Sequence, residues 1–277
     1  MMNLPNMVTV TINKSQYRAE EGETMLSVAM RNTIDIPHLC YEESLDPYGA
    51  CRLCMVDLVT CGKRTMMTAC TLRATEGLEI MTDTPEIIRY RKTLFELYLS
   101  EAPKSDVIKA MAARYGVTKT PFLKKIVHDD PLGGKCILCG LCVRVCDEIM
   151  GASAISFINR GPSTVVNTPF FEENPDCQGC GTCAKVCPTG AIEIEDQGDT
   201  RIMKSWSGTR IPLQQCQGCE EYFAPQAMLE KTLAKLDPGL IQELKYLCPA
   251  ACRGKIIATG EVRARTGFGG HIHHARS

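Results

Sequence analysis

Two copies of one cysteine spacing, C-x2-C-x2-C-x3-C, occur in this 277-residue chain of seventeen cysteines. The first copy consists of Cys136, Cys139, Cys142 and Cys146. The second copy consists of Cys177, Cys180, Cys183 and Cys187. This spacing is typical of chains that bind two [4Fe-4S] clusters, where three thiolates of a copy hold one cluster and the fourth ligates the other. The predicted chemistry is therefore iron–sulfur binding and one-electron transfer.

The pairing rule predicts which cysteines share a cluster. Cluster one is expected to use Cys136, Cys139, Cys142 and Cys187. Cluster two is expected to use Cys177, Cys180, Cys183 and Cys146. We expect the fourth cysteine of each copy to start a helix that turns it toward the other cluster. A pair of zinc sites is the alternative, but zinc sites have no reason to repeat an interleaved spacing.

A different cysteine pattern occupies the N-terminal quarter, with Cys40, Cys51, Cys54 and Cys70. Residues 7–12 alternate like a strand, and a turn at 13–14 leads into a second strand at 15–19. Residues 23–32 predict a helix whose inward side chains are Met25, Leu26, Ala29 and Met30. A strand hairpin, a helix and a cysteine-bearing loop predict a β-grasp ferredoxin domain with one [2Fe-2S] cluster. The spacing differs from the plant-type C-x4-C-x2-C.

A third group of cysteines lies near the C-terminus: Cys216, Cys219, Cys248 and Cys252. The stretch between the two pairs predicts a helical hairpin with its turn at 237–239, which would bring the pairs together. So small a segment could scarcely fold on its own core, which gives a metal a structural purpose. We favour a further [4Fe-4S] cluster, because the chain is already rich in clusters. Zinc explains the spacing fully and is the alternative, whereas [2Fe-2S] is less favoured.

Composition limits the classes of partner and the compartment. The net charge of −1 and the lack of a basic patch argue against nucleic acid. The start of the chain is not a signal peptide, and no apolar run approaches the roughly 18 residues of a membrane span, so no membrane insertion is expected. These features predict a cytoplasmic protein, and in a reducing compartment clustered thiols are metal ligands rather than disulfides.

The periodicity between the cysteine regions predicts two connecting helices, one over residues 86–100 and one from Ser105 to Gly116. The predicted fold is α+β. It is divided into a β-grasp [2Fe-2S] domain (1–84), a helical connector (85–126) and a bacterial-type two-[4Fe-4S] ferredoxin domain (127–200). A small cysteine-ligated helical hairpin (201–262) and a flexible tail (263–277) are predicted to follow.

Several stretches carry a family resemblance, among them "DIPHLCYEESLDPYGACRLCMVDL", "KCILCGLCVRVCDE" and "ISFINRGPSTVVNTPF". Over residues 7–197 the chain resembles the small iron–sulfur subunit of NAD-reducing hydrogenases, including electron-bifurcating ones. It equally resembles the N-terminal region of the large iron–sulfur subunit of complex I. The resemblance implies that the [2Fe-2S] ligands are Cys40, Cys51, Cys54 and Cys70. Cys61 is then an extra cysteine, which we expect to be a buried free thiol.

The resemblance also implies an NADH-oxidising flavoprotein partner and a hydrogenase or another catalytic subunit. Whether free ferredoxin is a third partner is left open by the sequence. The sequence has no Walker A loop and no dinucleotide-binding G-x-G-x-x-G, so flavin and NAD are expected on the partner. No catalytic residues are predicted. The leading hypothesis is an electron-relay subunit of an NAD(H)-linked hydrogenase. The same relay in a formate dehydrogenase or a complex I-like enzyme, a self-contained enzyme and a redox sensor are the alternatives.

Overall fold

The computed structural model of the chain describes residues 6–122, 130–235, 246–249 and 252. The second helix of the predicted C-terminal hairpin and the predicted tail at 263–277 lie outside this part of the chain. Among the described residues, no helix has the length and apolar character needed to cross a membrane.

The N-terminal part is built on a five-stranded mixed sheet. Strands β1 (Met7–Ile12) and β2 (Ser15–Glu20) form one antiparallel hairpin, and β3 (Met55–Thr60) and β4 (Lys63–Thr68) form another. Strand β5 (Glu79–Met81) lies between the hairpins, parallel to β1 and antiparallel to β3. The strand order is therefore β2-β1-β5-β3-β4. The first predicted hairpin is confirmed, with its turn at the predicted position.

Helix α1 (Met25–Arg31) packs on this sheet and confirms the predicted helix. Its N-cap is Thr24, whose side-chain oxygen accepts a hydrogen bond from the backbone of Ser27. The predicted inward position of Met30 is wrong, since this side chain is 41% exposed, whereas Val28 is buried. The physical reason is the helical period, because Val28 and Ala29 fall inside the buried stripe that Met25 and Leu26 begin, whereas Met30 lies beyond its edge.

Two helices connect the cysteine regions, as predicted. Helix α2 (Pro85–Glu101) begins after the N-cap Thr84, and α3 (Asp106–Arg114) begins after the N-cap Ser105. Their buried side chains form one hydrophobic core with residues around the N-terminal cysteines and the first spacing copy: Leu39, Cys40, Cys51, Leu53, Phe95, Ile108, Ala112 and Ile137. The connector is therefore packed against both regions rather than standing apart from them.

The first spacing copy leads into a short helical segment. Helix α4 (Leu141–Arg144) continues into a π-helical turn over Val145–Ile149. A hairpin of β6 (Ser156–Ile158) and β7 (Val165–Asn167) follows, and helix α5 (Thr182–Lys185) lies within the second copy. Short 3-10 turns occupy Gly161–Ser163 and Pro169–Phe171.

A second sheet covers the two spacing copies. Its strands are β8 (Glu195–Gln197), β9 (Thr200–Met203), β10 (Thr209–Gln215) and β11 (Tyr222–Pro225), in the order β11-β10-β9-β8. Helix α6 (Gln226–Leu233) follows and supplies the first helix of the predicted C-terminal hairpin. The sheet continues across residue 200, where the sequence predicted the boundary between the ferredoxin domain and the C-terminal hairpin. Met203, Trp206 and Ile211 share a core with the cysteines of both copies.

A fully buried arginine, which the sequence patterns did not single out, connects α2 to the N-terminal cysteine loop. The Arg91 guanidinium donates to the carbonyl oxygen of Leu53 at 3.3 Å and to that of Met55 at 2.9 Å. These two carbonyls flank Cys54. A third contact joins Arg91 to the Asp83 carboxylate at 3.1 Å. Arg91 thus fixes the backbone on both sides of a cysteine.

Replacing this arginine with methionine is expected to destabilise the N-terminal domain strongly. Arg91→Met leaves two buried carbonyl groups without their donor, so the free energy of unfolding should fall by about 3 kcal/mol. Urea-induced unfolding of the full chain measures this change. Arg89→Met, on an exposed position of the same helix, is the matched control and should change stability by less than about 0.5 kcal/mol. Equal effects of the two substitutions would contradict the assigned role.

Candidate metal centres

The structure brings cysteines of the two spacing copies together in two small cavities. The cavity of site one is lined by Cys136, Cys139, Cys142 and Cys187. The cavity of site two is lined by Cys146, Cys177, Cys180 and Cys183. Each site combines three cysteines of one copy with the fourth of the other. This is the combination expected for two interleaved [4Fe-4S] clusters.

The helices of both copies begin one cysteine earlier than expected. Cys142 and Cys183, the third cysteines, lie inside α4 and α5, and Cys146 lies one turn further on in the π-helical turn. The expectation that the fourth cysteine starts a helix is therefore wrong. The reason is a glycine in the left-handed region directly before each helix, with φ of 81° at Gly140 and 74° at Gly181. The backbone changes direction at these glycines, which are the N-cap residues, so each helix begins at the next residue.

Burial and backbone donors define the chemistry of site one. Burial raises the pKa of the Cys136 thiol to about 12 and that of Cys139 to about 11. The Cys136 sulfur accepts a hydrogen bond from the Leu138 N–H, and the Cys187 sulfur accepts one from the Ala191 N–H, each at 3.3 Å. Four largely buried thiols, two of which accept these backbone hydrogen bonds, could hold an iron–sulfur cluster, whose positive iron ions would compensate the thiolate charge.

Site two has a side-chain donor that sequence reasoning missed. Trp206, the single tryptophan of the chain, is fully buried, and its Nε1–H donates to the sulfur of Cys183 at 3.4 Å. Burial raises the pKa of the Cys183 thiol to about 12, while the indole bond opposes this rise. The only signal in the sequence was the rarity of tryptophan. Its place beside a cysteine follows from the turn between β9 and β10.

We expect Trp206→Phe to lower the reduction potential of the cluster at site two. A hydrogen bond to a ligand sulfur stabilises the more negatively charged reduced state, so its loss should shift the midpoint on the order of −50 mV, equal to about 1 kcal/mol for one electron. A redox titration followed by electron paramagnetic resonance measures the shift. The potential of the cluster at site one serves as the internal control and should stay constant. An unchanged or higher potential at site two would refute the role of the indole.

The four N-terminal cysteines singled out by the sequence are all buried and form two adjoining pairs. The thiol of Cys40 hydrogen-bonds to Cys51 and lowers the pKa of Cys51 to about 6, whereas the pKa of Cys40 is raised. In the same way, Cys70 lowers the pKa of Cys54, and its own pKa is raised. Two pairs of thiols fit a [2Fe-2S] cluster, in which each iron takes two protein ligands.

Cys61 lies away from this group. It is exposed, so the expectation of a buried thiol is wrong. Thr60 pairs with Lys63 in the hairpin of β3 and β4, so Cys61 and Gly62 form its two-residue turn. Such a turn needs positive φ, and Cys61 has a φ of 47°. The turn places the Cys61 side chain in solvent.

The N-terminal cysteine loop is docked on the first spacing copy. Cys139 packs against the core that contains Cys40 and Cys51. The Tyr98 hydroxyl donates to the carbonyl oxygen of Cys51 at 2.8 Å. Burial and the neighbouring thiols raise the pKa of Tyr98 well above its usual value, so the phenol remains a donor. Arg144 on α4 adds a bond of 2.8 Å to the carbonyl oxygen of Asp46.

The C-terminal cysteines meet as predicted. The sulfur atoms of all four lie within 4.8 Å of one another: Cys216, Cys219, Cys248 and Cys252. The sulfur of Cys216 accepts hydrogen bonds from the N–H of Cys248 at 3.2 Å and of Gly218 at 3.4 Å. Burial raises the pKa of Cys216, but these backbone donors outweigh it and lower the pKa to about 6. The group is a candidate four-thiolate metal site.

Comparison with known families supports the assignment of the cysteine regions. Residues 5–85 match the model of the 2Fe-2S iron-sulfur cluster binding domain, and residues 174–193 match that of the 4Fe-4S binding domain. With the observed sheets, helices and cysteine sites, these matches identify a 2Fe-2S ferredoxin-like domain and a 4Fe-4S ferredoxin motif in the chain.

The chain is similar to subunits of NAD(P)-linked enzymes. It is 32% identical to an NADH-quinone oxidoreductase subunit of Rhizobium meliloti, with 67% of this chain and 24% of that protein covered. It is 32% identical to the HndD subunit of the NADP-reducing hydrogenase of Solidesulfovibrio fructosivorans, with coverages of 68% and 36%. It is 33% identical to the alpha subunit of the NADPH-Fe(3+) oxidoreductase of Geobacter sulfurreducens, with coverages of 67% and 24%.

A chain in the crystal structure of an NAD+-reducing [NiFe]-hydrogenase in the H2-reduced state has the same fold over 66% of this chain and 85% of its own length, with a TM-score of 0.56 and 28% identity. The curated relatives are longer, and this chain matches 24% to 36% of their length. The chain is a homologue of these hydrogenase and NADH-quinone oxidoreductase subunits, which confirms the resemblance found in the sequence.

Proposed function

We propose that this chain is an iron–sulfur electron-relay subunit of a cytoplasmic, NAD(H)-linked oxidoreductase complex. In this role it passes single electrons between an NADH-oxidising flavoprotein and a catalytic subunit, which we take to be a hydrogenase. Iron–sulfur clusters supply one-electron transfer when they are bound, and the protein supplies their ligands, their burial and their spacing. A flavin-bifurcating complex that also uses free ferredoxin is consistent with the same relay.

The proposed ligands follow the cysteine groups. One [2Fe-2S] cluster is held in a β-grasp domain by Cys40, Cys51, Cys54 and Cys70. The first [4Fe-4S] cluster is held by Cys136, Cys139, Cys142 and Cys187. The second [4Fe-4S] cluster is held by Cys146, Cys177, Cys180 and Cys183. We further propose that the C-terminal cysteines hold a metal centre, either a [4Fe-4S] cluster or zinc.

The observation that supports a relay most strongly is the contiguous packing of the three sites. Cys139 of site one packs against the same core as Cys40 and Cys51. Cys142 of site one and Cys183 of site two lie in the next core. Adjoining sites whose cysteines share hydrophobic cores suit the transfer of single electrons from one site to the next.

The choice of partners rests on the relatives. The names of these relatives share a nicotinamide nucleotide and differ in the second substrate, which is a quinone, ferric iron or, in the hydrogenases, hydrogen. We therefore place NAD(H) and flavin on a partner flavoprotein. A formate dehydrogenase or a complex I-like enzyme is the alternative setting for the same relay. The identity of the catalytic subunit distinguishes these cases.

Anaerobic purification of the tagged full chain from its own organism tests the proposal. A flavoprotein and a catalytic subunit are expected to co-purify, and NADH should bleach the cluster absorbance of this complex. The isolated chain should respond to dithionite and not to NADH. Reduction of the isolated chain by NADH would instead support a self-contained enzyme. A chain that purifies without redox partners and binds DNA would support a sensor.

A further inference from the structure

We infer that the C-terminal cysteines bind one tetrahedral zinc ion and are not part of the electron relay. The inference rests on the proposal that Cys216, Cys219, Cys248 and Cys252 bind a metal, and it selects the metal by geometry. It replaces the [4Fe-4S] cluster that the sequence favoured, and it does not depend on the identity of the redox partners.

The separation of the sulfur atoms distinguishes a single ion from a cluster. In a tetrahedral zinc site with Zn–S bonds of about 2.3 Å, the sulfurs lie about 3.8 Å apart. In a cubane, each sulfur binds a different iron at a corner, so the ligand sulfurs lie on the order of 6 Å apart. All four sulfurs here lie within 4.8 Å of one another, and those of Cys219 and Cys248 are 3.8 Å apart. The group has the size of a single-ion site.

The other cysteine sites of the same chain provide an internal comparison. Among the described residues, the C-terminal group is the one set of three or more Cys, His, Asp or Glu side chains whose ligand atoms are placed so that they could hold a metal ion. Site one and site two, whose cysteines are all described, do not form such a single-ion arrangement. The two kinds of site therefore differ in arrangement within one chain, as a single ion and a cluster require.

The backbone around the C-terminal group lets the two cysteine-bearing segments approach each other closely. A Cβ atom at Gly218 would lie 2.9 Å from the sulfur of Cys252, so a glycine is needed between the first two cysteines. The N–H of Gln217 donates to the carbonyl oxygen of Tyr246 at 2.9 Å, which ties the two cysteine-bearing segments together. The ligands are thus contributed by two segments whose backbones are already held side by side.

Zinc is favoured over a single iron by its affinity for this donor set. Zinc lies above ferrous iron in the order of stability of divalent metal complexes, and closed four-cysteine sites are typical of structural zinc. The ion would hold the segment after β11 in place. That segment is docked on the ferredoxin part by Lys231, whose Nζ donates to the carbonyl oxygens of Met150 at 3.0 Å and Gly151 at 3.1 Å.

Elemental analysis of the full chain, purified anaerobically and then treated with iron and sulfide, tests the inference. We expect about one zinc and about ten irons per chain. X-ray absorption at the zinc edge should show four sulfurs at about 2.3 Å. Cys216→Ser should remove the zinc and leave the iron and the resonance spectra unchanged, whereas Cys61→Ser, the matched control, should keep both metals.

A subtler variant guards against a misfolded cysteine mutant. Gly218→Ala should weaken zinc binding at least tenfold in a chelator competition, because the added methyl group displaces Cys252. About fourteen irons without zinc would overturn the inference in favour of a cluster. One additional iron in place of zinc would overturn the choice of metal. No metal at these cysteines, with the other clusters intact, would refute metal binding here while leaving the relay proposal standing.

Discussion

Replacing Cys146 with alanine is expected to eliminate the cluster of the second spacing copy, although Cys146 belongs to the first. Cys146 lines the same cavity as Cys177, Cys180 and Cys183. Removal of one of four cavity-lining thiolates leaves an iron without its protein ligand, so the chain should lose up to about four irons. The signals of the cluster at site one should persist, because the cysteines of that site are unchanged.

The reciprocal variant is the matched control. Cys187→Ala removes the fourth cysteine of the second copy, and it should eliminate the cluster at site one while that at site two remains. Iron analysis and resonance spectra of the reduced proteins distinguish the two clusters. If each substitution damaged only the cluster of its own copy, both motifs would be self-contained and the interleaved arrangement would be wrong.

The second large effect is expected at the N-terminal site, where Cys70→Ser should remove or distort the [2Fe-2S] signal. Cys70 is buried and hydrogen-bonded to Cys54, which lies on the loop that Arg91 fixes. A serine hydroxyl is a poorer ligand than a thiolate for iron–sulfur clusters, so up to about two irons should be lost per chain.

Cys61→Ser provides the control for this prediction in the same domain. Cys61 is exposed at the hairpin turn, so its replacement should leave the [2Fe-2S] spectrum and the iron content unchanged. Resonance spectra and circular dichroism in the visible region measure the cluster in both variants. Loss of the signal in Cys61→Ser together with its retention in Cys70→Ser would assign the fourth ligand to Cys61.

Local sequence patterns predicted much of the fold and of the candidate cysteine sites. The cysteine spacings predicted which thiols line each ferredoxin cavity, and the hairpin of β1 and β2 and the helices α2 and α3 followed from periodicity and caps. These features depend on residues that are near one another in the chain, so the local backbone geometry is enough to predict them. The homology to hydrogenase and NADH-quinone oxidoreductase subunits was likewise evident from short stretches.

Tertiary structure alone decided the features that join distant residues. Arg91 reaches the backbone of Leu53, and Trp206 reaches the sulfur of Cys183, through packing that no local spacing encodes. The separation of the C-terminal sulfurs has the same origin, because Cys216 and Cys248 meet only where two segments pair. Spacing specifies which donor atoms a chain offers. The distance between those atoms, from which we infer zinc rather than a cluster, is set by the backbones that carry them.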